Sequence, residues 1–290
     1  MMIQWFPGHM AKTRKLITDN LKLVDVVVEM LDARLPQSSR NPLLNDLIGD
    51  KPRVLVLAKA DLAEEEYNKA WTAFFRSKGL TAIPCDLKGA SAKREAKGVT
   101  DGLRRQADAI LARRQARGIT SKVVRAMVTG IPNAGKSTLI NLLAGKARAE
   151  TGDRPGVTRG KQWIRLEQDL ELLDMPGILW PNLEDRDGAA RLAVTGAIGD
   201  NAYDQLELAL WLTGWLRDHR PGRLNKRYGV PESGEEEAIL EAIGRRRGFL
   251  RKGAEVELDK TAVMLLDELR GGRLGRITWD ELPETEEPGG

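Results

Sequence analysis

The sequence predicts an α/β fold: a mostly parallel sheet with helices on both faces, followed by a helical C-terminal domain. Three observations carry this. Short, β-branched, nearly continuous apolar runs alternate with helical stretches in the N-terminal part, the pattern of strands covered on both faces. One of these runs feeds a glycine-rich turn, Gly130-Ile131-Pro132-Asn133-Ala134-Gly135-Lys136-Ser137, that opens a helix. Beyond residue 185 the apolar spacing turns helical.

The elements follow in order. Trp5-Phe6-Pro7-Gly8-His9-Met10 leads into a short helix through Lys15-Leu16-Ile17. Residues 24–31 read as a buried strand that ends at Asp32-Ala33-Arg34, and a Pro/Ser/Asn loop follows. Residues 54–57 form a second strand, with Ala58-Lys59-Ala60-Asp61 at its C-terminal end. Residues 63–78 carry Trp71, Phe74 and Phe75 on one helical stripe, residues 80–84 a third strand, and residues 101–117 an Arg-rich helix. Residues 123–129 form the strand before the glycine-rich turn, and residues 137–144 the helix after it. Residues 163–166 and 170–173 read as a hairpin leading into Asp174-Met175-Pro176-Gly177. Residues 181–185 read as a linker. Residues 206–215, 239–243 and 263–269 then carry helical periodicity. The expected domains are therefore 1–182 and 185–290.

Composition bounds the chemistry. With 290 residues, 41% hydrophobic and 30% charged, the chain has ample material for two cores. The one cysteine, Cys85, excludes an internal disulfide and a cysteine-built zinc site, and suits a reducing cytoplasm. No apolar run approaches the length of a membrane span, and the N-terminus lacks signal-peptide order. Net charge is only +4, yet basic residues cluster at Lys12-Arg14-Lys15, Arg104-Arg105, Arg113-Arg114-Arg117, Arg223-Lys226-Arg227 and Arg245-Arg246-Arg247-Arg251-Lys252. An acidic tail beginning at Asp280-Glu281 offsets them in the sum. Each cluster alone is readable as a solvated helix face; together, beside a nucleotide domain, they suit an RNA partner.

The segment Gly130–Ser137 matches the phosphate-loop pattern, and its strand-turn-helix setting is the context that confirms the match. Backbone N–H groups of Asn133, Ala134, Gly135 and Thr138 would converge on phosphates at the helix N-terminus. Lys136 would neutralise the β- and γ-phosphates, and Ser137 would offer Mg²⁺ a hydroxyl. Asp174, at a strand end, would lie beside the metal, and Gly177 has no Cβ to keep its N–H from a γ-phosphate. Thr158, in Arg154-Pro155-Gly156-Val157-Thr158-Arg159, stands where a first switch would supply a hydroxyl to Mg²⁺ and the γ-phosphate. Asp61 would select guanine by accepting from N1–H and the exocyclic amine, while Lys59 lays its stem along the base. Ala58 stands where an asparagine is expected and makes no hydrogen bond. The base-capping loop is placed at Cys85-Asp86 by position, whereas Ser91-Ala92-Lys93 matches by letter.

These motifs occur in an unusual order, with 58–61 first, 130–137 second and 174–177 last. In that order, together with Trp5-Phe6-Pro7-Gly8-His9-Met10, Asp32-Ala33-Arg34 and Pro155-Gly156-Val157-Thr158, the chain resembles the circularly permuted ribosome-biogenesis GTPases over residues 3–180. The resemblance implies a permuted GTPase domain that binds GTP or GDP with Mg²⁺. It also implies a helical C-terminal domain that contacts large-subunit rRNA, here through Arg245, Arg246, Arg247, Arg251 and Lys252. Ile178 stands where many GTPases place a water-orienting glutamine. The resemblance nominates His9 as its replacement and Asn133 as a contact for K⁺. His9 also reads as a surface histidine on a flexible arm, and Asn133 as an ordinary loop asparagine.

The leading expectation is a GTPase assembly factor of the large ribosomal subunit. It would bind precursor particles in the GTP state, hydrolyse slowly until a partner completes the site, and be monomeric when free. The alternatives are a non-ribosomal phosphoryl-transfer enzyme on the same loop, and a nucleotide-dependent RNA-binding module with negligible turnover.

Overall fold

The computed structural model describes residues 10–145, 163–175 and 186–283. The described residues divide into an α/β unit, which ends with residues 278–283, and a helical unit of residues 186–277.

The α/β unit is built on a six-stranded sheet: β1 (Val26–Asp32), β2 (Arg53–Ala58), β3 (Thr81–Cys85), β4 (Val124–Gly130), β5 (Trp163–Glu167) and β6 (Leu170–Asp174). Its spatial order is β3-β2-β1-β4-β6-β5. All pairs are parallel except β5 with β6. β3 carries Pro84 and is an edge strand, where a missing N–H is tolerated. β1 is buried along its whole length because both of its faces are covered.

Helices α1 (Met10–Leu21), α2 (Pro42–Ile48) and α3 (Glu65–Ser77) cover one face. Ile17, Leu21, Val27, Leu44 and Met127 form one core there, and Leu31, Leu55, Leu57, Trp71 and Phe75 another. Helices α4 (Ala92–Ala116) and α5 (Lys136–Ala144) cover the opposite face. A Cβ on Gly102 of α4 would stand 2.8 Å from Ile83 Cδ1 and 3.7 Å from Val54 Cγ1, so the glycine lets the helix lie close against the sheet.

That contact explains a difference from the sequence reading, which started this helix at residue 101. Gly98 and Gly102 look like breakers, but burial against β3 repays their cost, and the helix begins at Ala92. Helix α2 lies in what reads locally as a Pro/Ser/Asn loop. It forms because Leu44 and Ile48 reach the core beside Val27. The expected linker at 181–185 lies outside the described residues.

The helical unit comprises α6 (Arg186–Val194), α7 (Gln205–His219), α8 (Arg223–Tyr228), α9 (Glu236–Arg247) and α10 (Leu258–Arg270). Asp204 caps α7 by accepting the Glu207 N–H at 2.9 Å. Leu208, Leu212, Leu240, Ile243, Leu265 and Leu266 supply its buried core. Helix α8 buries only Leu224 and Tyr228, too few positions to show a period, while α6 buries a short run of mostly small residues, Ala189, Ala190, Leu192, Ala193 and Val194. Residues 278–283, which the sequence reading grouped with this helical region, lie with the α/β unit instead. Trp279 is only 2% exposed, and the Trp279 N–H donates to Arg34 O at 2.8 Å.

Candidate functional site

Parallel strands leave their carboxyl ends on one edge of a sheet, where loops expose backbone groups that the ladder does not use. Here the register composes that edge. Asp32 pairs with Ala58, Ala58 with Cys85, Met30 with Gly130, and Val128 with Asp174. The segments 58–61, 130–137 and 174–175 therefore leave strand ends on the same edge, although the chain visits them in permuted order.

At the phosphate loop, Gly130 has φ 150°, and a Cβ there would stand 2.3 Å from Met30 O. Only glycine fits that approach of β4 to β1. Asn133 has φ 56° and is exposed, Ala134 is buried, and Gly135 caps α5 at φ 91°. Lys136 is 9% exposed and donates from Nζ to Ile131 O at 2.8 Å and to Gly130 O at 3.4 Å. Burial lowers its pKa to about 8, and the nearby Asp174 carboxylate opposes that shift. Ser137 is exposed in the first turn of α5, with Thr138 beside it half-buried. Asp174 ends β6 with an exposed side chain, and the Met175 N–H donates to Val128 O at 3.2 Å.

The loop at 58–61, expected to read the base, is bonded to the elements on either side of it. Lys59 has a left-handed backbone, φ 58°, and donates from Nζ to Asp32 Oδ2 at 2.9 Å. Asp32 is buried and also accepts from Arg34 Nε at 2.9 Å and Nη2 at 2.7 Å. Burial alone would raise its pKa; the Arg34 guanidinium and Lys59 ammonium outweigh it and hold the carboxyl well below the usual range. The Ala60 N–H donates to Cys85 O at 3.1 Å, and Ala60 O accepts from Asn68 Nδ2 at 2.9 Å. Asp61 is exposed on this loop. Ala58 is 1% exposed, and its Cβ stands 3.9 Å from where a Cβ on Gly135 would lie. The missing asparagine is thus replaced by a methyl that abuts the phosphate loop.

The proposed capping loop is bonded to its own scaffold. Cys85 is buried, and burial together with Glu95 raises its thiol to about 12, so only its backbone serves the base loop. The Asp86 N–H donates to the Glu95 carboxylate, while Asp86 Oδ1 accepts the Lys88 and Gly89 N–H groups at 2.9 Å each. Ser91 lies at the start of α4, where it donates to Glu95 Oε1 at 2.5 Å. Asp32 is the residue that local reading leaves without a role. Its signal is a lone carboxylate at the end of an apolar strand, one strand away from Lys59.

His9, Thr158 and Gly177 lie outside the described residues. In the helical unit the basic cluster separates into two kinds. Arg247 donates to Glu268 Oε1 at 3.2 Å and lies over the Tyr228 ring; Arg245 pairs with Glu241 at 2.6 Å and Arg251 with Glu257 at 3.9 Å. Arg246 and Lys252 are exposed at the end of α9 and in the turn after it. Glu268 accepts from Arg227 at 2.7 Å and from Tyr228 Oη at 2.9 Å as well, so Arg247 belongs to a structural network.

Among the described residues no three His, Cys, Asp or Glu gather into a metal cluster. Ser137 and Asp174 are hard oxygen donors, a set that suits Mg²⁺ sharing its shell with nucleotide phosphates. No helix among the described residues is long and apolar enough to cross a membrane.

Residues 125–209 match the family model of the 50S ribosome-binding GTPase, and the loop at 58–61 lies before that span. The chain is 46% identical over 286 residues to ribosome biogenesis GTPase A of Bacillus cereus, covering 98% of this chain and 95% of that protein. It is 44% identical over 291 residues to ribosome biogenesis GTPase A of Priestia megaterium, covering 99% of this chain and all of that one. The GDP-bound structure of TM YlqF superposes with a TM-score of 0.67 at 26% identity, covering 91% of this chain and 98% of that chain. Such similarity from end to end, on a sheet whose edge carries the nucleotide motifs in permuted order, places the chain in the ribosome biogenesis GTPase A family of circularly permuted GTPases.

Proposed function

We propose that this protein hydrolyses GTP as an assembly factor of the large ribosomal subunit in the cytoplasm, binding precursor particles in its GTP state and leaving after hydrolysis. The observation that carries the reading is the carboxyl edge of the sheet, where the Lys59–Asp32 pair and the neighbours Lys136 and Asp174 stand at or just beyond the ends of its strands. The relatives' names supply the ribosomal setting.

In this reading Asp61 accepts from the guanine N1–H and amine, and Asp32 fixes the ammonium of Lys59 so that its stem borders the base. Lys136 turns from the loop carbonyls to the β- and γ-phosphates, whose charge restores its proton affinity. Ser137, Asp174 and Thr158 would hold Mg²⁺, which screens the phosphate charge, and Asn133 would contact K⁺. The Gly177 N–H would meet the γ-phosphate, and Cys85 and Asp86 would border the base through their backbone. Ile178 cannot orient water, so hydrolysis in the free protein is slow, and His9 completes the site when a ribosomal partner orders its arm. RNA contacts fall on the basic cluster, led by Arg246, Lys252 and the loosely paired Arg251, with the more closely paired Arg245 and Arg247 flanking.

The test is co-sedimentation with large-subunit precursor particles. Association with a non-hydrolysable GTP analogue and release with GDP is expected; equal association in both states overturns the reading. A single-turnover assay with His9→Ala assigns the catalytic arm: wild-type stimulated rates would move that role elsewhere.

A further inference from the structure

Asp280 opens the acidic tail, yet it and the two residues before it, Thr278 and Trp279, are buried, at 5%, 1% and 2% exposure. The Asp280 carboxylate accepts the Gln37 N–H at 2.8 Å, the Ser38 N–H at 2.7 Å and the Ser38 hydroxyl at 2.5 Å. The Trp279 N–H donates to Arg34 O at 2.8 Å, and Asp280 O accepts from Trp71 Nε1 at 3.4 Å. Thr278 and Glu64 bond reciprocally: the Thr278 N–H donates to Glu64 Oε2, and the Glu64 N–H to Thr278 Oγ1, both at 3.1 Å.

The two segments gripped this way flank the base-recognition loop. Arg34 belongs to the turn after β1 whose Asp32 holds Lys59, and the Ala33 N–H donates to Ala58 O at 2.8 Å. Glu64 lies three residues beyond Asp61 and leads into α3, whose Asn68 holds Ala60 O. Thr278 therefore holds the chain just beyond one end of the loop, while Trp279 and Asp280 hold the 34–38 turn, whose neighbour Ala33 bonds Ala58 at the other end. Charge-assisted bonds from backbone N–H groups to a buried carboxylate are among the stronger local restraints, and they act on backbone position directly.

We propose that Thr278, Trp279 and Asp280 form a clasp that positions the guanine-reading loop, so that Asp280 sets guanine selectivity and nucleotide release without touching nucleotide. Asp280 and Thr278 are positioning residues in this assignment, which rests on Asp61 being the guanine reader. Loosening the clasp frees both flanks of residues 58–61 while leaving the phosphate loop, whose bonds run through β4 and α5, in place. The cost then falls on base recognition rather than on phosphate binding.

The experiment compares release and competitive affinity of GDP and IDP, which lacks the exocyclic amine, for the full chain and for Asp280→Ala, Asp280→Asn and Thr278→Val. Asp280→Ala should release GDP about tenfold faster, the effect of losing one charge-assisted hydrogen bond, and the GDP-over-IDP preference should shrink. Asp280→Asn, which keeps one acceptor, should lie between. Thr278→Val removes a single contact and keeps the test open should Asp280→Ala fold poorly. Wild-type release and preference in the variants would overturn the clasp. So would equal weakening of GDP and IDP, the signature of a general structural role. A wild-type protein with no preference for GDP over IDP would instead refute Asp61 as the base reader, and the clasp with it.

Discussion

Lys136 gives a prediction whose size follows from its burial. Its pKa falls to about 8 from the 10.5 ordinary for a lysine, because burial penalises the ammonium more than Asp174 supports it. The unfolded chain keeps this proton up to the higher pH, so the folded state carries the penalty below about pH 8 and sheds it as pH rises between the two values. At 1.36 kcal/mol per unit, the penalty at neutral pH is on the order of 3 kcal/mol. Lys136→Met should therefore stabilise the protein in urea titrations at pH 7 while abolishing GDP binding. Nucleotide phosphates would restore the higher pKa, so GDP binding at pH 8 should take up about half a proton. Affinity should fall about fourfold from pH 7 to pH 8.5. Calorimetry in buffers of different ionisation enthalpy reads the uptake, and Lys136→Arg should remove it. Proton-independent GDP binding by the wild type would refute the reasoning. So would the same linkage in Lys136→Arg.

Three other outcomes follow from the geometry. Ala58→Asn places an amide against the phosphate loop and should tighten GDP binding by about 1 kcal/mol, or about fivefold, in equilibrium titration; unchanged or weaker binding would show the pocket too tight for it. Glu268 is held below its usual pKa by the Arg227 hydrogen bond foremost, with burial opposing and Tyr228 and Arg247 assisting. The stability it contributes is present above its unfolded pKa and lost as pH falls through the folded one, and Glu268→Gln should cost about 3 kcal/mol of helical-unit stability at pH 7 by denaturant titration. Replacing Arg246, Arg251 and Lys252 with glutamine should weaken particle binding and flatten its salt dependence with GDP affinity intact, whereas Arg247→Gln should act mainly on thermal stability.

The nucleotide motifs were legible because their chemistry is local: a glycine-rich turn after a β-branched run needs no distant partner to be recognised. The strand ends were legible for the same reason, since each motif marks one; their spatial order was not, because it depends on pairing between distant segments. The Asp32–Lys59 bond was not, because it joins side chains 27 positions apart across a register that no local pattern fixes. Asp280 misled for a related reason. Its charge fits a run of acids, while the amides that bury it lie 242 and 243 positions earlier. Glu29 also sits inside an apparently apolar strand, kept there between Arg40 and Arg53 while burial raises its pKa. The first turns of helix α4 were less legible, because Gly98 and Gly102 weaken the local helical signal while the sheet needs the space they leave.

The return of Thr278–Asp280 to the α/β unit makes the helical unit an insertion rather than an appendage. Domain dissection is affected directly. A chain cut after residue 182 loses more than the helices, because it discards the three residues that hold Gln37, Ser38 and Glu64. Weak nucleotide binding by such a fragment would say nothing about what the helices contribute. Excising the helices and splicing a short Gly/Ser bridge before Thr278 keeps those restraints in place, and is the cut that separates the two contributions.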